Sequence, residues 1–261
     1  MTTLPRFGIF KTEARVIHSE YVLQDYEIGV WLPFSYGSSD RSYPVLYVPD
    51  GEFLFPTVAG MIPTLIGNGE VPEIIVVGIA YHGINSWEEF GDLRSRDLLP
   101  QQFISKPPNL EQKPATRQPQ YIDFYRKELF PLIEREYRAL ADDRALYGFS
   151  SSGFFSLDLM MNYPGLFRRH IAAGCIWRGA DGYFVECAQR YATLPVRPPV
   201  DLFLAVGEWE GDDSVTGLHR VAAALEAIPE LRMHHRVIEG EGHSSGMFAN
   251  AFLAGVKAVY R

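Results

Sequence analysis

At 261 residues, 47% hydrophobic and 21% charged, the chain has the proportions of a globular protein and not of a disordered one, and its length suits one large α/β domain. Its 24 basic against 32 acidic residues give a formal charge of −8, which leaves no cationic face to displace phosphate counterions and argues against a nucleic-acid partner. No apolar run approaches the ~20 residues of a bilayer crossing, so no membrane span is expected. Residues 1–12 lack the apolar core of a secretory signal, which favours a cytoplasmic location, and the two cysteines, Cys175 and Cys187, are read as buried thiols, too few for a disulfide framework.

Two β-rich runs, Arg15 to Val22 and Tyr26 to Pro33, flank Leu23-Gln24-Asp25 and read as an opening antiparallel hairpin. Then the pattern changes. Pro44 to Pro49, Glu73 to Ala80, Arg144 to Phe149, His170 to Gly174, Val200 to Val206 and Arg232 to Ile238 are short runs, most of them nearly continuous in apolar residues, as expected of strands covered on both faces. Helical patterns lie among them at Phe53 to Ile66, Pro119 to Tyr137, Ser151 to Tyr163, Val215 to Ala227 and Met247 to Tyr260. In the second, Ile122, Tyr125, Leu129, Leu132, Ile133 and Tyr137 form one apolar stripe. The alternation predicts a mostly parallel α/β sheet opened by a hairpin, with helices on both faces and residues 1–261 in one domain. Residues 81–118, with Pro100, Pro107, Pro108 and Pro114, break the rhythm and are expected to form a long loop over or beside the active site.

The most informative segment is Gly148-Phe149-Ser150-Ser151-Ser152-Gly153, where a strand runs through small residues straight into a helix. A serine on such a turn projects its hydroxyl above the sheet edge, the arrangement of a G-x-S-x-G nucleophile elbow. Ser152 here occupies the second glycine position and Gly153 follows one residue later. An equally simple reading is a serine-rich helix cap. A serine nucleophile needs a base, and His243, within Gly240-Glu241-Gly242-His243-Ser244-Ser245-Gly246, lies in a loop between the last strand and last helix with no core to fill. The acid that would orient its imidazole is sought after the strand Val200 to Val206, in Gly207-Glu208-Trp209-Glu210-Gly211-Asp212-Asp213. Glu210 is favoured, then Asp213 and Glu208, with Asp212 and Asp213 equally suited to starting a helix. The oxyanion hole is expected from the backbone N–H of Ser151 and from the loop at Gly51 and Glu52, with Asp50 in support. No spacing of His, Cys or carboxylates matches a metal site, and no phosphate-binding or dinucleotide motif is present, so neither metal nor cofactor is expected.

Taken together, Val45-Leu46-Tyr47-Val48-Pro49-Asp50-Gly51, Arg94-Ser95-Arg96-Asp97-Leu98-Leu99-Pro100, Glu128-Leu129-Phe130-Pro131-Leu132-Ile133-Glu134, the Ser150 turn with Tyr163-Pro164-Gly165-Leu166-Phe167, and Gly242-His243 resemble the esterase family of α/β hydrolases that includes enterobactin (ferric siderophore) esterases, feruloyl esterases and S-formylglutathione hydrolase. The resemblance runs from about Ala14 onward and is nearest the siderophore-esterase branch, through the Arg-x-Arg-Asp-Leu-x-Pro block and Gly207 to Glu210. It implies an α/β-hydrolase fold, a small-molecule ester substrate, and Ser150, His243 and Glu210 as nucleophile, base and acid. The family's usual Gly-Gly pair after the elbow is Ser152-Gly153 here. Trp87, Arg94, Arg96, Trp177, Arg178 and Trp209 are candidates to line a pocket for an aryl or anionic catechol ester; the plainer reading of Arg96-Asp97 is a salt bridge that pins the long segment. Acyl transfer on the same machinery, or a silent binding module on a hydrolase scaffold, are the competing functions. The residues do not specify an oligomeric state.

Overall fold

The computed structural model describes residues 8–105, 111–177 and 179–261. Among them, eight strands form one sheet: β1 (Thr12–Ser19), β2 (Gln24–Trp31), β3 (Tyr43–Val48), β4 (Ile75–Tyr81), β5 (Ala139–Phe149), β6 (Arg169–Ala173), β7 (Val200–Gly207) and β8 (Leu231–Ile238). Their order in space is β1-β2-β4-β3-β5-β6-β7-β8. β2 is antiparallel to β1 and to β4, and every later pairing is parallel. The opening hairpin is therefore present, with a register that pairs Ser19 with Gln24, so Gln24 and Asp25 begin β2 and the turn precedes them.

Helices α1 (Leu54–Gly67), α2 (Trp87–Leu98), α3 (Gln118–Phe124), α4 (Phe130–Glu136), α5 (Ser151–Asn162), α6 (Ala180–Ala192), α7 (Asp212–Leu225) and α8 (Ser245–Val259) cover the sheet. Side chains alternate along a strand, and the alternation divides the core. Ile171, Ala173, Phe203 and Ala205 pack with α1 and α8 on one face, while Ala172, Leu202, Leu204 and Val206 pack with α5, α6 and α7 on the other. A third cluster joins β2, β3 and β4 to α2, α3, α4 and α5 and is rich in buried tyrosine and phenylalanine. This is the α/β-hydrolase arrangement that the sequence blocks imply.

Helix α6 is not among the expected helical patterns and β5 begins five residues earlier than expected, and two further segments depart from the expectation. The single helix foreseen over Pro119 to Tyr137 is interrupted by a π-helical turn at Tyr125–Leu129. Pro131 has no N–H to donate and its ring crowds the carbonyl four residues back, and the wider turn relieves both problems. The stretch 81–118 is not one long loop, because α2 occupies twelve of its residues. The Ser86 side chain accepts the Glu89 N–H, and Glu89 reaches back to the Asn85 N–H, which starts the helix. Part of the remainder, including Pro107 and Pro108, lies outside the described residues.

The strand order determines where a site can form. From β3 the chain passes through α1 to β4 on one flank, then crosses to β5 on the other. At such a reversal, the connections leave the carboxyl ends of neighbouring strands in opposite directions and open a crevice between them. The residues that follow β3 and β5 there are the Asp50 loop and Ser150.

Candidate active site

The turn after β5 is tight enough to dictate its residues. Ser150 has φ 61° and ψ −122°, a left-handed conformation that a non-glycine residue holds only when its surroundings impose it. Its N–H donates to the Ala173 carbonyl at 2.8 Å and its own carbonyl accepts the Phe154 N–H at 2.8 Å. A Cβ at Gly148 would stand 2.0 Å from the Ser152 carbonyl oxygen, and one at Gly153 would stand 2.4 Å from the Ala173 carbonyl oxygen. Both neighbours are backbone, so only glycine fits. Ser152, fully buried at the position expected to be glycine, accepts the Phe149 N–H and donates to the Phe149 carbonyl, each at 2.9 Å. The substitution leaves the turn intact and adds a side-chain clamp across it.

His243 meets this turn from the β8–α8 loop. Its ring lies against Phe149, with centroids 4.6 Å apart and planes 31° apart. Gly174, at φ 58°, lies under both rings: a Cβ there would be 2.6 Å from the Phe149 ring and 3.2 Å from His243 Cε1. Of the four carboxylates after β7, Glu210 faces the imidazole, its Oε2 3.4 Å from His243 Nδ1. The Glu210 side chain is 7% exposed and its Oε1 accepts the Gly207 N–H at 3.1 Å, so the backbone holds it in place. Glu208 instead accepts the Gly240 N–H at 2.7 Å, and Asp212 and Asp213 open α7.

Ser150 and His243 line one cavity of about 410 Å³, together with Asp50, Phe53, Trp87, Phe90, Arg94, Phe149 and Phe248. Phe53, Trp87 and Phe90 form a triangle of rings 5.1 to 5.3 Å apart. Across it, the Arg94 guanidinium binds the Asp50 carboxylate through two hydrogen bonds, Nε to Oδ1 at 3.0 Å and Nη2 to Oδ2 at 2.6 Å. Burial works against the charge on Arg94, but the attraction of Asp50 outweighs it and the guanidinium pKa is raised. A larger groove of about 1000 Å³ runs along β8 and α8 and contains none of these residues.

The loop after β3 corrects one expectation. Gly51 is required as glycine because its α-carbon rests on β4, where a Cβ would come within 2.8 to 2.9 Å of the Ile79 backbone. Its N–H, expected in the oxyanion hole, donates to the Ile79 carbonyl at 2.8 Å and is not free. The Phe53 and Leu54 N–H groups both go to the Asp50 carbonyl. That leaves the Glu52 N–H as the one donor from Gly51 to Leu54 not committed to a backbone carbonyl. The Ser151 N–H begins α5, in the turn whose donors have no intrahelical acceptor. The Glu52 carboxylate accepts the Tyr81 N–H and faces its own N–H as well, and burial pushes its pKa up to about 7.

The expected substrate-contacting residues separate. Trp87, 71% exposed, lines the cavity. Arg96 does not: both of its donor contacts to a carboxylate go to buried Asp97, which also accepts the Tyr26 hydroxyl. Trp177 is stacked on Phe154 at 5.1 Å, and Trp209, 71% exposed, lies beside Gly242; neither is among the residues that line the cavity. Arg178 lies outside the described residues. Arg94, a candidate for the pocket wall, lines it with its charge already paired to Asp50, whereas Phe53 and Phe90 were not foreseen as parts of the wall. No helix among the described residues is long and apolar enough to cross a membrane.

Against known proteins, the model of the Esterase family, described as "Putative esterase", matches residues 19–244. The chain is 26% identical over 260 residues to the ferri-bacillibactin esterase BesA of Bacillus subtilis (strain 168), covering 92% of this chain and 86% of that protein. Among solved structures it superposes on the BES protein from Bacillus cereus with a TM-score of 0.84 at 21% identity over the whole of both chains. It matches the siderophore hydrolase EstB from Aspergillus nidulans with a TM-score of 0.81 at 18% identity, over 98% of this chain and 97% of that one. At these identities the solved structures share the fold.

Proposed function

This chain belongs to the Esterase family of ester hydrolases, and on that premise we propose that it cleaves an aryl or siderophore-type ester through an acyl-enzyme on Ser150. The observation that carries the reading is the convergence of three chain segments. Ser150 on its strained turn and His243 open onto one cavity, while the buried Glu210 carboxylate stands at the far nitrogen of the imidazole.

In this mechanism Glu210 holds the proton on Nδ1, so Nε2 is the basic nitrogen. Nε2 takes the Ser150 hydroxyl proton as Oγ attacks the ester carbonyl carbon. The carbonyl π electrons move to oxygen, and the N–H groups of Ser151 and Glu52 stabilise that oxyanion. When the tetrahedral intermediate collapses, the C–O bond to the alcohol breaks and the imidazolium returns its proton to the leaving oxygen. Water then repeats the cycle on the acyl-enzyme and releases the acid and Ser150.

The wall of the cavity supports this substrate class. Phe53, Trp87 and Phe90 present ring edges and faces suited to a planar aromatic acyl group. A volume of about 410 Å³ accommodates one aryl arm of an ester. The similarity to a ferri-bacillibactin esterase and to a siderophore hydrolase supports the same class.

The test is hydrolysis of p-nitrophenyl acetate and butyrate by wild type and Ser150→Ala, with fluorophosphonate labelling and peptide mapping, followed by comparison of aryl with alkyl acyl esters. Turnover that disappears with Ser150, a label on that residue and a higher kcat/KM for aryl esters are expected. A folded wild type that neither labels nor turns over any ester would refute the mechanism.

A further inference from the structure

We propose that Arg94 is a positioning residue, which acts through Asp50 to hold the β3–α1 loop in register with the nucleophile turn. The inference rests on Ser150 being the nucleophile. Two backbone segments have to be aligned in that reading: the turn at Phe149 and Ser150, and the loop at Asp50 to Glu52. They follow different strands, and among the described residues Arg94 is the one side chain hydrogen-bonded to both. Its Nη2 reaches the Phe149 carbonyl at 3.4 Å while Nε and Nη2 grip Asp50 at 3.0 and 2.6 Å. Asp50 is under strain of its own, at φ 54°, a region that non-glycine residues seldom occupy. Its carbonyl accepts the Phe53 and Leu54 N–H groups that open α1, so the conformation of Asp50 determines where the Glu52 N–H lies. The pair is well buried, with the Arg94 side chain 18% exposed and that of Asp50 4%.

The same geometry argues against Arg94 as the recognition site for an anionic substrate. Its charge is already matched by a carboxylate held through two bonds, and drawing it away would leave Asp50 buried and unpaired. Its contribution should therefore appear in the chemical step and not in substrate affinity, and with an uncharged ester as fully as with a charged one.

The experiment measures kcat and KM for uncharged p-nitrophenyl butyrate in wild type, Arg94→Met, Asp50→Asn and the double variant, alongside fluorophosphonate labelling. Each single variant is expected to lose kcat by roughly 10- to 100-fold with KM within about threefold, and the double variant to be no more than about threefold below the worse single one, because both changes break one unit. Arg94→Ala is expected to regain activity on adding guanidinium at millimolar concentration, whereas urea at the same concentration restores none. A merely destabilised protein would not respond that way. A rise in KM alone, multiplicative losses in the double variant, or absence of guanidinium rescue overturns the proposal. Should Arg94→Met fail to fold, Asp50→Asn, which keeps the shape of the residue, carries the same kcat and KM test. A wild type that is not labelled on Ser150 refutes the nucleophile assignment, whereas a labelled wild type beside unaffected variants refutes only the role of Arg94.

Discussion

Replacing Ser152 by alanine tests whether the serine at the second glycine position of the elbow is a tolerated variation or a working part. The Ser152 hydroxyl satisfies two backbone groups of Phe149, accepting from its N–H and donating to its carbonyl, each at 2.9 Å. Alanine fits the same space and removes both bonds. The carbonyl retains its contact with Arg94 at 3.4 Å, but the N–H is left without a partner. Leaving one buried donor unsatisfied costs about 1–3 kcal/mol, and about 2 kcal/mol is a fair central figure here. With a urea slope of about 3 kcal/mol/M for a chain of this size, the unfolding midpoint should fall by about 0.7 M. The catalytic effect follows from the same contact: Ser150 holds φ 61° only while its neighbours keep it there. Allowing the turn to relax should lower kcat/KM at least roughly tenfold, the equivalent of about 1.4 kcal/mol in the barrier. Urea titration and ester hydrolysis on the same preparations are sufficient. A variant with the wild-type midpoint and wild-type kcat/KM would show that the clamp contributes nothing and refute this account of the turn.

Gly148→Ala should be worse, because its Cβ would meet backbone oxygen at 2.0 Å where no side chain can yield; loss of soluble or active protein is expected, and a fully active variant would contradict the packing. In the proposed mechanism Glu210→Gln removes the charge beside the His243 imidazolium, so kcat should fall by about 10²- to 10⁴-fold, while Glu208→Gln, whose carboxylate faces Gly240, should change it by less than about threefold. The Glu52 carboxyl binds its proton more tightly folded, near pH 7, than unfolded, near 4.5, because it is buried. The native state therefore holds more protons than the unfolded state across that window, and stability declines as pH rises from about 4.5 to above 7. Glu52→Gln removes the decline and should gain on the order of 2–3 kcal/mol relative to wild type between pH 5 and pH 8; parallel stability curves for the two proteins would count against the burial argument.

The strands were the most legible part of the chain because those buried on both faces have no polar alternation to dilute them. Val45-Leu46-Tyr47-Val48 and Leu202-Phe203-Leu204 are read as sheet without ambiguity, and both lie where expected. The start of a central strand was less clear: β5 begins five residues before its apolar run, through the exposed Asp142, where nothing but strand pairing marks it. α2 was missed for the opposite reason. In Trp87-Glu88-Glu89-Phe90-Gly91-Asp92-Leu93-Arg94-Ser95-Arg96-Asp97-Leu98 only Phe90, Asp97 and Leu98 are buried, so the apolar stripe is too thin to stand out among nearby prolines. A capping signature, Ser86 followed by Glu89 three residues on, was there to be read. α6 was passed over although Phe184, Cys187, Ala188 and Tyr191 recur at helical spacing.

That one helix accounts for the misplacement of Arg96 and for the omission of Phe90. On a helix, residues 87, 90 and 94 lie within a narrow angular range, whereas 94 and 96 point about 160° apart around the axis. Trp87 and Phe90 line the cavity, so the same phase brings Arg94 to it and turns Arg96 away, where its guanidinium folds back onto the neighbouring Asp97 carboxylate. The Arg-x-Arg-Asp pattern carries this division of labour, but it can be read only once the segment is known to be helical. With a loop assumed, both arginines are equally free to face a substrate. Gly51 shows the same dependence on context. The residue type correctly signalled a close backbone approach, yet the approaching partner is Ile79 of the neighbouring strand and not an oxyanion, because β3 and β4 lie side by side in the sheet. Glycine marks where two backbones meet, and only the strand order tells which two.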